Sequence, residues 1–454
     1  MDELQYTDHD LTQVLEFDAV KYSVLDQLQL FQANEMVDYV QPDYIYETTT
    51  VPNDPGYSLY QWNLPKVSMP SAWSNQTGTG SVVAAVLDTG ANINHREFSP
   101  NLNSYHYDFG DSDSDVTDFS PYHGSNVASI IGAQGNNGLY VSGVAWDVSL
   151  LFLKVFSSSY PYSTSTSILV SAIGSARTHG ATVMNLSLGN KLCTKFFCEP
   201  GLPCECIEWS LDHSLEAAIR TARDTGLGVV AVCAVGNSGE NNDTIPFAPS
   251  GLPEDNIIAV AASDQNDLHA TFSSGGSTNV GFKTVDLAAP GKDIYGVKQA
   301  DDGTYSIFEG TSQAAPHVTG AVALIKSEYA WENYFGLRDR ILMGTDSLAT
   351  WSSSVRTGGR LNVDKALKAR TVVHNISTRA RVENGDKVMI GGFVISNTTN
   401  GTGRLKVAIR GLGPSLQGLS VAKLANPKIT LKNSSGQTIY SNDNWGNAAA
   451  IAKR

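Results

Sequence analysis

The chain has 454 residues, with 45 Asp and Glu against 31 Lys and Arg, a formal net charge of −14 and a pI near 5.0. That surplus of negative charge excludes the basic face a nucleic-acid partner would demand. No apolar run approaches the roughly 20 residues needed to span a bilayer, and the length predicts about two to four domains with room for a sizeable core.

In chain order, Met1-Asp2-Glu3-Leu4 shows neither the basic stretch nor the apolar stretch of a secretory signal. Residues 82–87, 150–155 and 229–235 are continuous apolar runs, which reads as strands buried on both faces and hence as a parallel sheet. Helix-like stretches at 167–179 and 214–225 lie between them, so the expected class is α/β: a mostly parallel sheet carrying helices on both sides. Asp88 and Asn237 fall just after strand ends, where open α/β sheets place their crevice. After about residue 370 the texture changes to short runs at 387–395, 405–410 and 428–432, separated by Gly, Asn and Ser. This predicts a small all-β module at 370–454, which stops without a final strand pair after Trp445.

Four of the five cysteines, Cys193, Cys198, Cys204 and Cys206, crowd into one segment. Two disulfides are the expected reading; a zinc site is the alternative, although C-x4-C-x5-C-x-C is not a usual zinc spacing. Cys233 lies within an apolar run and reads as a buried thiol. His95, His106, His179, His213 and His317 carry no supporting motif and read as structural.

Four short motifs carry chemistry: Val86-Leu87-Asp88-Thr89-Gly90, His123-Gly124-Ser125-Asn126-Val127-Ala128, Ala234-Val235-Gly236-Asn237-Ser238-Gly239 and Gly310-Thr311-Ser312-Gln313-Ala314-Ala315-Pro316-His317. A serine hydroxyl is a poor nucleophile at neutral pH; it needs an imidazole to take its proton and a buried carboxylate to fix the imidazole's tautomer. Ser312, His123 and Asp88 supply those three groups. The developing oxyanion needs donors already in place, which the Asn237 amide and the Ser312 N–H can furnish. An esterase elbow would want G-x-S-x-G, and Gly310-Thr311-Ser312-Gln313-Ala314 lacks the last glycine. Each motif alone would be an ordinary turn, and a non-catalytic surface protein on the same fold is the alternative from another class.

With the chain order Asp, His, Ser, and with Gln61-Trp62, Ala72-Trp73, Asn185-Leu186-Ser187-Leu188-Gly189 and Gly358-Gly359-Arg360-Leu361-Asn362, residues 53–369 resemble the subtilisin-like serine proteases, peptidase family S8. The resemblance implies a three-layer fold, endopeptidase activity on protein or peptide substrates, and a segment Ser187, Leu188, Gly189 that pairs as an exposed strand with the substrate backbone. Asn126 stands where the family usually has a second histidine, and Ser125 replaces a usual threonine. The resemblance further implies that residues 1–52 are the end of an inhibitory, chaperoning propeptide, and that the protein works outside the cytoplasm, extracellular or periplasmic. The chemistry requires no cofactor. Calcium in the acidic run Asp108, Asp111, Asp113, Asp115, near Asn136, and at Asp54 follows from the resemblance and from the taste of calcium for oxygen ligands; a solvated acidic turn is the alternative.

Overall fold

A computed structural model describes residues 23–42, 44, 48–191, 193–197, 205–298, 305–369, 429–432 and 438–442. The chain divides into two units, Met1–Thr371 and Val372–Arg454.

The first unit is built on a nine-stranded sheet: β1 (Gly78–Asp88), β2 (Tyr107–Asp108), β3 (Asp147–Lys154), β4 (Ala181–Leu186), β5 (Val230–Ala234), β6 (Ile257–Ser263), β7 (Leu287–Pro290), β8 (Thr345–Ser347) and β9 (Gly359–Leu361). Their order across the sheet is β8-β9-β7-β6-β5-β4-β1-β3-β2. All neighbours are parallel except β8 and β9 at one edge. The continuous apolar runs form such strands because both faces are covered. Along β1, Val82, Ala84 and Val86 face a core shared with α1 (His123–Gly132) and α4 (Thr311–Glu328), while Ala85 and Leu87 face a second core with α2 (Thr166–Thr178) and α3 (His213–Arg223). The result is the three-layer α/β arrangement expected.

Local signals account for the helix starts. Ser165 and Asp212 cap α2 and α3 by accepting the N–H of Ile168 and Leu215, which removes an orphan donor from each first turn. From β1 the chain steps outward to β3 and then returns to the other side of β1 for β4, so the direction of winding reverses at β1. Asp88 ends that strand, Ser187 follows β4 and Asn237 follows β5. The reversal opens a crevice at the carboxyl ends of these strands.

Before the sheet, Val24–Gln32 is helical with no buried residue, and residues 48–50 run against the helix Met69–Trp73, where Thr50 N–H donates to Pro70 O. In the second unit Ile429–Lys432 and Thr438–Asn442 pair antiparallel. The other strands expected there, 387–395 and 405–410, lie outside the described residues. Among the described residues no helix is long and apolar enough to cross a membrane.

Cys193 is disulfide-bonded, as preferred over zinc, and begins a strand paired with Glu205–Trp209. Cys198 and Cys204 lie outside the described residues. Cys233 is fully buried and free, its thiol pushed up by burial and by the charge of Asp286.

Candidate active site

The turn after β1 and the N-terminus of α1 meet because glycine allows it: a Cβ on Gly124 would lie 2.1 Å from the Gly90 carbonyl oxygen. This close approach sets His123 Nδ1 2.7 Å from Asp88 Oδ1. Asp88 is buried and the imidazole only 23% exposed, so the pair interacts with weak solvent screening. Burial alone would lower the imidazole pKa, but the charge and hydrogen bond of Asp88, with a further push from Asp118, hold it above 6.5.

Asp118 was not singled out in the sequence. Its buried carboxylate accepts the Thr89 hydroxyl at 2.7 Å, the Ser125 hydroxyl at 2.7 Å, and the N–H groups of Ser125 at 2.8 Å and Phe119 at 2.9 Å. Thr89 Oγ1 in turn accepts the Gly124 N–H at 2.9 Å. Asp118 thus fastens the neighbours of Asp88 to those of His123. Burial raises its own pKa above 3.8 against the pull of these donors. Ser125, the departure from threonine, still supplies the hydroxyl this contact uses. Asn126 is buried, donating to Ser306 Oγ at 3.1 Å and accepting from Gln313 Nε2 at 3.4 Å.

Ser312 is the second residue of α4, after Gly310 at φ 151°, a backbone region open to glycine. A Cβ on Gly310 would stand 3.1 Å from Asn237 Nδ2, so the glycine also makes room for that amide. Asn237 Oδ1 accepts both the N–H and the hydroxyl of Thr311 at 2.9 Å. With its oxygen held this way, the amide turns its Nδ2 donors toward the start of α4.

The Ser312 hydroxyl donates to the Ser187 carbonyl at 3.2 Å, and the Ser187 hydroxyl donates to the Ser312 carbonyl at 2.7 Å. The second bond exists because Pro316 lies inside α4: it has no N–H to meet the carbonyl four residues back. The structure brings Asp88 and His123 together and sets Ser312 beside Asn237, but the serine hydroxyl bonds Ser187 and not the imidazole. Catalytic hydrogen bonds are commonly absent or long before substrate binds.

Ser187, Leu188 and Gly189 differ from the expected strand. They follow β4 outside any ladder, with Ser187 buried, Leu188 half-buried against the α2–α3 core and Gly189 exposed. They have no sheet neighbour and lie next to the start of α4 through the paired Ser187–Ser312 hydrogen bonds.

His317 is fully buried, donating from Nδ1 to the Gln313 carbonyl at 2.8 Å and accepting from Asn63 Nδ2 at 2.7 Å. Burial lowers its pKa to about 4, so it is a neutral packing group. The acidic run has its cation in the protein: Lys154 Nζ lies 2.6 Å from Asp108 Oδ2 and 3.6 Å from Asp111 Oδ2. Asp54 accepts three backbone N–H groups, from Asn136, Asn137 and Gly138, at 2.7–3.0 Å. Neither place fits a calcium ion, because ammonium and N–H donors take the oxygens a metal would need. Among the described residues no group of three or more His, Cys, Asp or Glu is placed to hold a metal ion.

A carboxylate on an imidazole, a serine opening a helix and an anchored amide, gathered at the carboxyl ends of a parallel sheet, define the class of serine hydrolases. The sequence profile of the subtilase family matches residues 78–366; the chain belongs to that family, is a serine-type endopeptidase, and has the subtilisin-like fold. It is 31% identical over 329 residues to the thermophilic serine proteinase of Bacillus sp. strain AK1, covering 72% of each chain. It is 34% identical over 277 residues to thermitase of Thermoactinomyces vulgaris, covering 61% of this chain and 86% of that one. Among solved structures, a protease of Pseudoalteromonas arctica superposes with a TM-score of 0.58 at 25% identity, over 70% of this chain and 99% of that one.

Proposed function

We propose that Ser312 is the nucleophile of this endopeptidase, His123 its general base, Asp88 the group that orients His123, and Asn237 with the Ser312 N–H the oxyanion donors. The observation that carries the reading is the 2.7 Å contact between Asp88 and His123 beside a serine at a helix N-terminus. A peptide laid along Ser187, Leu188 and Gly189 gains main-chain hydrogen bonds with little sequence preference.

In this mechanism the Ser312 hydroxyl leaves Ser187 O and turns to His123 Nε2 when substrate binds. The serine oxygen then attacks the peptide carbonyl carbon while its proton passes to Nε2. The carbonyl oxygen becomes an anion held by Asn237 Nδ2 and the Ser312 N–H. Collapse breaks the C–N bond as the imidazolium returns the proton to the leaving amine, and water repeats the sequence to release the acid. No metal enters any step.

Residues 1–52 act as the propeptide in this reading, and the enzyme works outside the cytoplasm; the segment 48–50 already lies on the catalytic unit. Self-cleavage falls between Glu47 and Tyr57.

The test is casein hydrolysis and fluorophosphonate labelling of the wild type and Ser312→Ala. Labelling of Ser312 and loss of about a millionfold in kcat, the size seen when subtilisin loses its serine, are expected. Wild-type-like proteolysis by folded Ser312→Ala overturns the assignment, and processing of Ser312→Ala at the same bond overturns self-cleavage.

A further inference from the structure

Beyond Asn237 the chain turns back as the short strand Phe247–Ala248, antiparallel to Asn190–Lys191, with Lys191 opposite Phe247. This pairing delivers the Phe247 ring between two glycines that border the crevice. Gly189 closes the proposed substrate segment, and Gly236 immediately precedes Asn237. A Cβ on Gly189 would lie 2.3 Å from Phe247 Cε1 and 2.9 Å from Cζ. A Cβ on Gly236 would lie 3.0 Å from Cε2 and 3.1 Å from Cζ. The leading edge of the ring therefore fills the space that side chains at either position would claim.

The ring is held there from several sides. The Phe247 carbonyl accepts the Gly251 N–H at 2.7 Å and the Ser250 hydroxyl at 3.2 Å, which fixes the backbone. Lys191 Nζ lies 2.5 Å from Glu240 Oε1, so an ion pair ties the strand beside the substrate segment to the loop after Asn237. The two walls of the gap are thereby linked, and the half-buried ring stands between them.

This gap has a consequence for substrate, given the site reading proposed above. If the scissile carbonyl sits between Ser312 Oγ and Asn237 Nδ2 while its backbone runs along Ser187 to Gly189, the side chain of the residue bearing that carbonyl projects between Gly189 and Gly236. We propose that Phe247 closes this specificity pocket and restricts the enzyme to bonds that follow a small residue, namely glycine, alanine or serine. A large aromatic or aliphatic side chain would have to displace a ring fixed by its own strand. Phe247 belongs to none of the motifs that mark the site in the sequence.

The test is kcat/KM for two matched peptides with alanine or phenylalanine before the scissile bond, measured on the wild type and Phe247→Gly. The wild type should favour alanine by about a hundredfold or more, since even one methylene in a fitted pocket is worth about 10–200-fold. Phe247→Gly should bring the ratio within about tenfold or invert it, by a gain on the phenylalanine peptide. Should Phe247→Gly not fold, Phe247→Leu provides the same comparison with a smaller opening. Equal wild-type rates on both peptides, or an alanine preference untouched in a variant that still hydrolyses the alanine peptide, would overturn the proposal. No cleavage of either peptide by wild type, with Ser312 unlabelled by fluorophosphonate, overturns the underlying site reading and this inference with it.

Discussion

Replacing Asp118 by asparagine changes one carboxylate oxygen into an amide nitrogen while keeping the side-chain shape. Whichever way the new amide turns, it loses an acceptor on one side: either for the Ser125 N–H and hydroxyl, or for the Thr89 hydroxyl and Phe119 N–H. A buried donor left unpaired costs about 1–3 kcal/mol. Relief of the burial that raises the Asp118 pKa offsets part of this, so the loss in folding stability should fall at the lower end of that range. The effect on catalysis has its own sign. In the proposed mechanism the base form of His123 is the neutral imidazole, so activity should rise as pH climbs through its pKa. Asp88 and Asp118 both favour the cation and hold that pKa up. Removing the Asp118 charge should therefore lower it and shift the acid limb of the rate profile to lower pH. The assay is kcat/KM for a small peptide from about pH 4 to about pH 9, beside urea unfolding of the same protein. An acid limb that stays in place or moves upward would refute the electrostatic argument, and an unchanged urea midpoint would refute the hydrogen-bond argument.

Asn237→Leu should lower kcat by about 10²–10³ with little change in KM, the loss seen for the oxyanion asparagine of subtilisin; an effect confined to KM would reduce Asn237 to a pocket wall. His317 has its folded pKa depressed from 6.5 to about 4; its neutral form therefore contributes stability that is complete above pH 6.5 and is lost as pH falls through about 4. The full loss is roughly 3 kcal/mol at 1.36 kcal/mol per unit. Urea unfolding across that window should show a shallower decline in His317→Gln, whose amide can serve both Asn63 and Gln313, and equal slopes would count against it. Lys154→Met leaves Asp108 buried without its partner, which should cost about 3–5 kcal/mol; thermal and urea unfolding would measure it, and a shift under about 1 kcal/mol, the range of exposed pairs, would contradict the pairing.

Much of the fold was legible because residues buried on both faces of a parallel sheet declare themselves as unbroken apolar runs. The runs at 82–87, 150–155 and 229–235 fall on Gly78–Asp88, Asp147–Lys154 and Val230–Ala234. The candidate site was legible where the chemistry dictates residue type within a few positions, as around Asp88, His123, Asn237 and Ser312. What escaped depends on contacts between distant segments. The acidic run reads as a calcium site or a solvated turn because the cation that meets Asp108, Lys154, sits at the end of an apolar strand some forty residues on. Asp118 belongs to no motif of the sequence; it reaches the site because the chain turns into α1 at Tyr122, with φ 73°. Phe247 reaches the crevice only through a two-residue pairing with Asn190–Lys191, too short to leave a pattern.

The proline within α4 reaches further than a missing hydrogen bond. With an uninterrupted first turn the Ser312 carbonyl would be taken up by the N–H four residues on and would have no such bond to spare for the segment beside it. Here the same carbonyl is released outward and stitched to Ser187, whose own carbonyl receives the serine hydroxyl. In the proposed mechanism the Ser312 hydroxyl leaves Ser187 for the imidazole, but the Ser187 hydroxyl still holds the Ser312 carbonyl, so the backbone of the proposed nucleophile stays tied to the segment that would hold its target.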